Sequence, residues 1–198
     1  MRRVLLFPLC DFLIYCFVTA YTPGANNLLS MNYAIRFGFR RSLRFNFGIL
    51  TGFTAVMTIC TVCSAALFTF IPRIKPFLQV AGAAYMIYLA CKIWRSSLGQ
   101  EGESGGKSSF LSGMLLQFVN PKIYIYAITV MTLYVLPVYH SAEAMVAFTL
   151  ILAVIGASAS FVWALFGSAF CSFFRRHLKA VNTVMALLLL YCAVSLFL

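Results

Sequence analysis

The stretch YTPGANN, residues 21–27, decides the fold, because it interrupts a long apolar run near the start of the chain. No charged residue occurs between Asp11 and Arg36, so the run has the composition of a buried helix. Proline and glycine are the poorest residues for a helix interior, and asparagine is also unfavourable there. We therefore predict that one helix stops near Pro23 and that another starts just after it.

The composition of the whole chain is that of a membrane protein. Apolar residues make up 63% of it and charged residues 10%, whereas a typical soluble domain is about half apolar and a quarter charged. Several apolar runs reach the roughly 20 residues that cross a bilayer. We predict an all-α membrane protein in which residues 1–198 form a single integral membrane domain with six transmembrane helices. The six apolar segments lie at about residues 4–35, 45–71, 77–94, 110–139, 144–174 and 181–198.

The basic residues predict how these segments are oriented. The net charge is +11, and the loops after the first, third and fifth segments hold ten Lys and Arg residues, against four on the other side. Cytoplasmic loops carry such an excess, so we predict a location in the cytoplasmic (inner) membrane with both termini outside the cytoplasm. Topology accounts for the charge without a nucleic-acid partner, and no basic-aromatic nucleic-acid module is recognisable.

The chain divides near its centre at residues 96–109, whose Gly and Ser content predicts a flexible loop between halves of about residues 1–95 and 110–198. The first segment of each half has about 30 residues, roughly ten more than a bilayer requires. Each contains a proline, and Thr22 and Asn120 before these prolines match the preference for an N-cap followed by proline in the first turn. We predict broken first and fourth helices and, because two continuous segments follow each, two inverted three-helix repeats.

The two breaks form the candidate site. Free N–H groups and the positive dipole end of a new helix attract an anion, and the Lys122 ammonium adds a full charge at the second break. The asparagine side chains add hydrogen bonds, and carbonyls near Ala20, Tyr21 and Val119 would accept from an ammonium. A small zwitterion, an amino acid, fits this set. The candidate substrate-binding residues are Pro23, Gly24, Asn26, Asn27, Asn120, Pro121 and Lys122.

Each of these features also has a structural interpretation. Proline kinks occur in membrane helices without a ligand, and Lys122 has the alternative of extending its ammonium to the cytoplasmic interface. Asp11 is interpreted as an interfacial residue rather than a proton relay. Two patterns of small residues are interpreted as helix packing; they are Gly48 and Gly52 in the second segment, and Gly156, Ser160, Ala164 and Gly167 in the fifth.

The seven cysteines lie in or beside apolar runs, where cysteine packs as a small hydrophobe. Cys60 and Cys63 form a C-x-x-C in mid-segment, away from the helix N-terminus or cation that activates a redox pair, and no cluster has zinc-site spacing. We predict no catalytic residue, no metal and no cofactor, and hence a protein that is not an enzyme. A membrane thiol–disulfide electron carrier is the alternative from a different class, although the nearest cysteine to Pro23, Cys16, lies about two turns away.

Four stretches carry a family resemblance: TPGANNLL (22–29), GFRRSLRFNFGILTGF (38–53), VAGAAYMIYLACKIWRSS (80–97) and GMLLQFVNPKIYIYAI (113–128). Through them the chain, from about residue 9 to its C-terminus, resembles the LysE/RhtB family of amino-acid exporters. The resemblance implies six transmembrane helices and efflux of small amino acids driven by the proton gradient. The family usually has Pro-Gly-Pro-Asn at the first break, where this chain has Ala25 in place of the second proline.

The resemblance also implies a cargo. The stretches LLQFVNPKIYIYAITVMTLYVLP (115–137) and MALLLLYCAV (185–194) are most similar to family members that export cysteine and O-acetylserine. Homoserine, threonine and branched-chain amino acids are the alternative cargoes, because side-chain preference depends on the shape of the pocket. The expected partners are therefore a small amino acid and the lipid bilayer, and an oligomer is compatible with the sequence.

Overall fold

The computed structural model of the protein describes residues 8–62, 64–95 and 109–197, and every regular element in these ranges is helical. The π-helical turn Met131–Val135 follows α6 directly. The α-helices are α1 (Leu9–Tyr21), α2 (Ala25–Phe37), α3 (Phe39–Val62), α4 (Ser64–Arg95), α5 (Ser109–Val119), α6 (Pro121–Val130), α7 (Ala142–Ala169), α8 (Cys171–Arg176) and α9 (Leu178–Ser195).

Within the described ranges, three helices, α3, α7 and α9, are long and apolar enough to cross a membrane. Phe110–Val119 and Pro121–Val135, which meet at a bend of 63°, satisfy the same criteria together and have the composition of a broken span or a re-entrant loop. Helix α1 is a shorter apolar helix. These features confirm the all-α membrane fold. The arrangement as six transmembrane helices in two inverted repeats stays a prediction.

The first break, residues 22–24, separates α1 from α2 as predicted. Pro23 disfavours helical geometry for the residue before it, and Thr22 is extended with ψ 149°. The N-cap role predicted for Thr22 is wrong, because the Thr22 hydroxyl donates back to the Thr19 carbonyl at 2.9 Å and so belongs to the end of α1. The N-cap of α2 is Gly24, whose backbone is extended.

The second break, at Asn120, has the predicted cap geometry. Asn120 is extended, with φ −92° and ψ 100°, and Pro121 occupies the first turn of α6. The Asn120 side-chain oxygen accepts a hydrogen bond from the Lys122 backbone N–H at 3.2 Å. The sequence signature of an N-cap followed by proline is therefore confirmed here, and it produces the 63° bend.

The predicted boundary between the second and third apolar segments is wrong. The apolar segments at about 45–71 and 77–94 predict a connection at residues 72–76, yet α4 is helical through this region, from Ser64 to Arg95. Proline is tolerated within membrane helices when local adjustments satisfy the freed carbonyl groups. The loop predicted at residues 96–109 lies outside the described residues except for its last position.

Glycine brings the backbones of α3 and α5 into direct contact. A Cβ on Gly48 would collide with the Phe110 carbonyl, and a Cβ on Gly113 would collide with the Phe45 carbonyl. Gly52 extends the same contact by one turn along α3. The packing role predicted for Gly48 and Gly52 is confirmed, and the contact holds α5 in position just before the second break.

The small-residue face of α7 packs as predicted. Ser160, Ala164 and Gly167 are buried, and α7 packs against α1, α2 and α3. A Cβ on Gly167 would lie 2.6 Å from the Met31 carbonyl oxygen of α2. Helix α6 packs against α1, α3 and α4. These contacts bring the two breaks together inside the bundle.

Candidate functional site

The two breaks meet at one cavity, which we call the break cavity. It encloses about 420 Å³ of space, a figure that includes its open mouth. The first break provides one wall and the second break the opposite wall. The lining residues are Thr19, Ala20, Gly24, Ala25, Asn26, Asn27, Phe53, Asn120, Lys122, Ile123, Tyr126 and Gly156.

Three side-chain amides join the breaks. Asn26 and Gln117 form a reciprocal pair, in which Asn26 Nδ2 donates to Gln117 Oε1 at 2.8 Å and Gln117 Nε2 donates to Asn26 Oδ1 at 3.1 Å. Asn120 Nδ2 donates to the same Asn26 oxygen at 3.3 Å. Gln117 was not predicted from the sequence. The available signal was a polar side chain within an apolar segment, which is costly in a membrane unless it is paired.

Lys122 extends its side chain from the second break to the first. Its Nζ donates to Thr22 Oγ1 at 2.9 Å, and a Cβ on Gly24 would lie 3.4 Å from the same nitrogen. No carboxylate within the described ranges pairs with this ammonium. The position favours a role at the break cavity over extension to the cytoplasmic interface. An ammonium without a carboxylate partner is a natural anchor for an anionic group.

Asn27 closes the end of α1. Its Nδ2 donates to the Ala20 carbonyl at 2.8 Å and to the Thr22 carbonyl at 2.9 Å. The Tyr21 carbonyl accepts from Trp163 Nε1 at 3.2 Å. The carbonyls of Ala20 and Tyr21, expected to be open to an ammonium, therefore already have donors. Asn27 Oδ1 accepts no hydrogen bond from any described residue, so the acceptor on this side is the Asn27 side chain.

The two new helix starts differ in what they offer. In α2 the first intrahelical bond runs from Leu28 N to Gly24 O at 2.9 Å, so the N–H groups of residues 25–27 have no acceptor in their own helix. In α6 Pro121 has no N–H, and the next two N–H groups both bond to Asn120, one to its side chain and one to its carbonyl. The expectation of two helix starts with free donors is therefore wrong for α6.

A second cavity, of about 1100 Å³ including its mouth, lies on the other side of the Lys122 side chain. Pro23 lines this second cavity rather than the break cavity. Pro121 lines neither cavity. It is buried against Gly82 of α4, and a Cβ on Gly82 would lie 2.6 Å from Pro121 Cδ. Five of the seven candidate residues thus line the break cavity: Gly24, Asn26, Asn27, Asn120 and Lys122.

Of the described cysteines, Cys192 reaches the first break, whereas the others and Asp11 line neither cavity. Cys16 and Cys60 are buried among apolar side chains, while Cys63 lies outside the described residues. Cys192 lines the second cavity, and its thiol donates to the Pro23 carbonyl of the first break at 3.7 Å. Asp11 is exposed in the first turn of α1. Among the residues that the structure describes, no group of three His, Cys, Asp or Glu side chains is arranged to hold a metal ion.

Comparison with known proteins gives one family and a set of close relatives. The family model "LysE type translocator" matches residues 17–198. Proteins named cysteine/O-acetylserine efflux protein from Escherichia coli (strain K12), Escherichia coli O139:H28 and Shigella flexneri are each 40% identical over 189 residues, which is 96% of this chain and 97% of each relative. No solved structure matches the chain.

Proposed function

The chain belongs to the LysE type translocator family, and from that premise we propose that it exports cysteine and O-acetylserine across the cytoplasmic membrane. Relatives that share 40% of its residues over nearly the full length are named for efflux of these two compounds, which supports the same cargo here. The family resemblance supports coupling to the proton gradient. Homoserine, threonine and branched-chain amino acids are the alternative cargoes.

The observation that carries the proposal is the Lys122 ammonium at the break cavity. It touches the neutral Thr22 hydroxyl at 2.9 Å and has no carboxylate partner among the described residues. A cargo carboxylate supplies that partner. The unpaired N–H groups at the start of α2 line the same cavity, and the positive end of this helix dipole adds to the attraction for an anion.

The other end of a zwitterion also has a partner in this cavity. Asn27 Oδ1 is an acceptor without a donor in the described structure, and it suits the cargo ammonium. The remaining wall is formed by Phe53, Ile123, Tyr126 and Gly156, which suit a short side chain of low charge. We propose that the carboxylate lies at Lys122 and α2, the ammonium at Asn27, and the side chain against this wall.

The thiol carrier is the competing function, and the positions of the cysteines weigh against it. Cys16 and Cys60 are packed in an apolar cluster, whereas electron transfer between thiols and disulfides needs an accessible thiolate. The residues beside the two breaks in the sequence are asparagines, Asn26, Asn27 and Asn120, and not cysteines. Replacement of Cys60 by alanine separates the two functions, because export by the proposed mechanism does not use this thiol.

The test is uptake of labelled amino acids into inside-out membrane vesicles. Cysteine, O-acetylserine, homoserine, threonine and leucine are compared at equal amounts of inserted protein, with and without an uncoupler. We expect uptake of cysteine and O-acetylserine that the uncoupler abolishes and that the Cys60→Ala variant retains. Uptake of none of the five would refute the export function, and uptake confined to threonine or leucine would assign the alternative cargo.

A further inference from the structure

We propose that Gln117 sets the polarity of the break cavity, by holding Asn26 and Asn120 so that they present N–H groups to the cargo. This rests on the proposed export function and assigns a role to a residue that makes no contact with the cavity. Gln117 is fully buried in α5 and is absent from the cavity lining. It is therefore a positioning residue, which acts on the cargo through Asn26.

The first step is the orientation of Gln117 itself. Its Nε2 donates to the Gly113 carbonyl at 2.8 Å and to Asn26 Oδ1 at 3.1 Å, so both of its N–H hydrogens are used. Its Oε1 accepts from Asn26 Nδ2 at 2.8 Å. Reversal of this amide would place oxygen against the Gly113 carbonyl and NH₂ against the NH₂ of Asn26. The Gly113 carbonyl thus fixes which way Gln117 points.

The second step carries this orientation to Asn26. Asn26 Oδ1 accepts from both Gln117 and Asn120, which uses the two lone pairs of a carbonyl oxygen. One Asn26 Nδ2 hydrogen goes to Gln117 Oε1. The second hydrogen has no acceptor among the described residues. Asn26 lines the cavity, so the group that it has available for cargo is a donor and not an acceptor.

The third step includes Asn120. One of its Nδ2 hydrogens goes to Asn26 Oδ1, and its oxygen accepts from the Lys122 backbone N–H. One hydrogen therefore remains on Asn120 as well. Together with the Lys122 ammonium and the N–H groups at the start of α2, the unpaired polar groups on this side of the cavity are mainly donors. The amide orientations of Asn26, Gln117 and Asn120 are thereby fixed, and the groups left unpaired on Asn26 and Asn120 are N–H donors.

The chemical consequence is discrimination between a carboxylate and a carboxamide. A carboxylate only accepts hydrogen bonds, and both of its oxygens match donors. A carboxamide turns an NH₂ group toward at least one of those donors and leaves it unpaired. Sites built to satisfy one pattern of hydrogen bonds reject the mismatched analogue strongly. Without Gln117, Asn26 keeps only the 3.3 Å hydrogen bond from Asn120 to hold its orientation, so reversal of Asn26, which offers its oxygen to the amide, becomes much less costly.

The experiment compares unlabelled O-acetylserine with O-acetylserinamide as competitors of labelled O-acetylserine uptake into inside-out vesicles. Wild-type protein, Gln117→Met and Gln117→Glu are measured at equal amounts of inserted protein. The matched control is Gln79→Met, which removes another glutamine amide that donates to a backbone carbonyl, that of Leu196, and makes no hydrogen bond to Asn26, Gln117 or Asn120. The quantity of interest is the ratio of the two inhibition constants, which a loss of folded protein does not change.

We expect wild type and Gln79→Met to favour the carboxylate by roughly tenfold or more. In Gln117→Met the KM for O-acetylserine rises and the ratio falls towards one. Gln117→Glu keeps the acceptor, loses both donors and adds a negative charge, so its KM rises further. An unchanged ratio in both Gln117 variants, beside active wild type, would overturn this inference alone. A wild type that transports no amino acid would overturn the export function and the inference with it.

Discussion

Replacement of Lys122 by methionine should stop export while leaving the protein folded in the membrane. Methionine keeps the length and the apolar stem of lysine and removes the charge. In the structure the ammonium makes one hydrogen bond to a described residue, to the hydroxyl of exposed Thr22. Little of the fold depends on that bond. The cargo carboxylate, in the proposed arrangement, depends on the charge directly.

In Lys122→Met the expected loss of folding stability is smaller than the expected loss of cargo affinity, so the two can be measured separately. The lost bond has a charged donor, for which a typical contribution is about 1.5–3 kcal/mol, but Thr22 is exposed and solvent replaces the bond, so the free energy of unfolding falls by well below that range. Loss of a charged partner for a carboxylate costs about 1.5–3 kcal/mol of binding free energy. The second range corresponds to roughly a 10- to 150-fold weaker apparent affinity. Membrane abundance should therefore change little while the KM rises strongly.

The assay is efflux of labelled O-acetylserine at several internal concentrations, normalised to inserted protein. Thr22→Val is the matched control, because it breaks the same hydrogen bond but keeps the ammonium. Lys122→Arg tests whether a positive charge of different shape suffices. If Lys122→Met exports with the wild-type KM, or if Thr22→Val is impaired to the same degree, the ammonium does not bind the carboxylate, and the backbone N–H groups of α2 must hold it alone.

Three further predictions concern packing, cavity size and topology. Gly113→Val forces α5 away from Phe45 of α3 and should lower the unfolding midpoint of the detergent-solubilised protein, with about 1–3 kcal/mol lost; an unchanged midpoint would contradict the contact. Gly156→Ala pushes the Phe53 ring towards the cavity and should weaken export of O-acetylserine more than that of the smaller cysteine, whereas equal losses would count against the wall assignment. Reporter fusions should place position 105 inside the cytoplasm and Leu198 outside it, and a cytoplasmic signal at Leu198 would reverse the predicted orientation.

The breaks could be predicted from the sequence because their causes are local. Proline excludes the preceding residue from the helix, and this alone ends α1 before Pro23 and α5 before Pro121. The cap at Asn120 followed from the same local chemistry. The boundary between the second and third segments failed for the opposite reason. Two prolines indicate a loop only if nothing compensates for them, and compensation inside a membrane bundle depends on tertiary surroundings.

Five of the seven candidate residues line the break cavity, but the hydrogen bonds that they make could not be predicted from the sequence. Asn26 and Gln117 are 91 positions apart in the sequence, and only the fold shows that they pair. Asn27 was expected to face the cargo with both donor and acceptor, yet its NH₂ group is committed to the end of α1. A side-chain amide carries both an NH₂ donor and a carbonyl acceptor, and the sequence does not indicate which of them is hydrogen-bonded within the fold.

The hydrogen bonds of the asparagines at the two breaks explain why polar residues occur within otherwise apolar segments. A broken helix leaves carbonyls at one end and N–H groups at the other, and hydrocarbon satisfies neither. Asn27 satisfies the carbonyl end of α1, and Asn120 satisfies the N–H end of α6. The groups around the break cavity that keep unused hydrogen-bonding capacity include the N–H groups at the start of α2 and Asn27 Oδ1, beside a Lys122 ammonium whose described partner is the Thr22 hydroxyl. In the proposed arrangement the remaining donors attract the carboxylate of the cargo, and the remaining acceptor, Asn27 Oδ1, takes its ammonium.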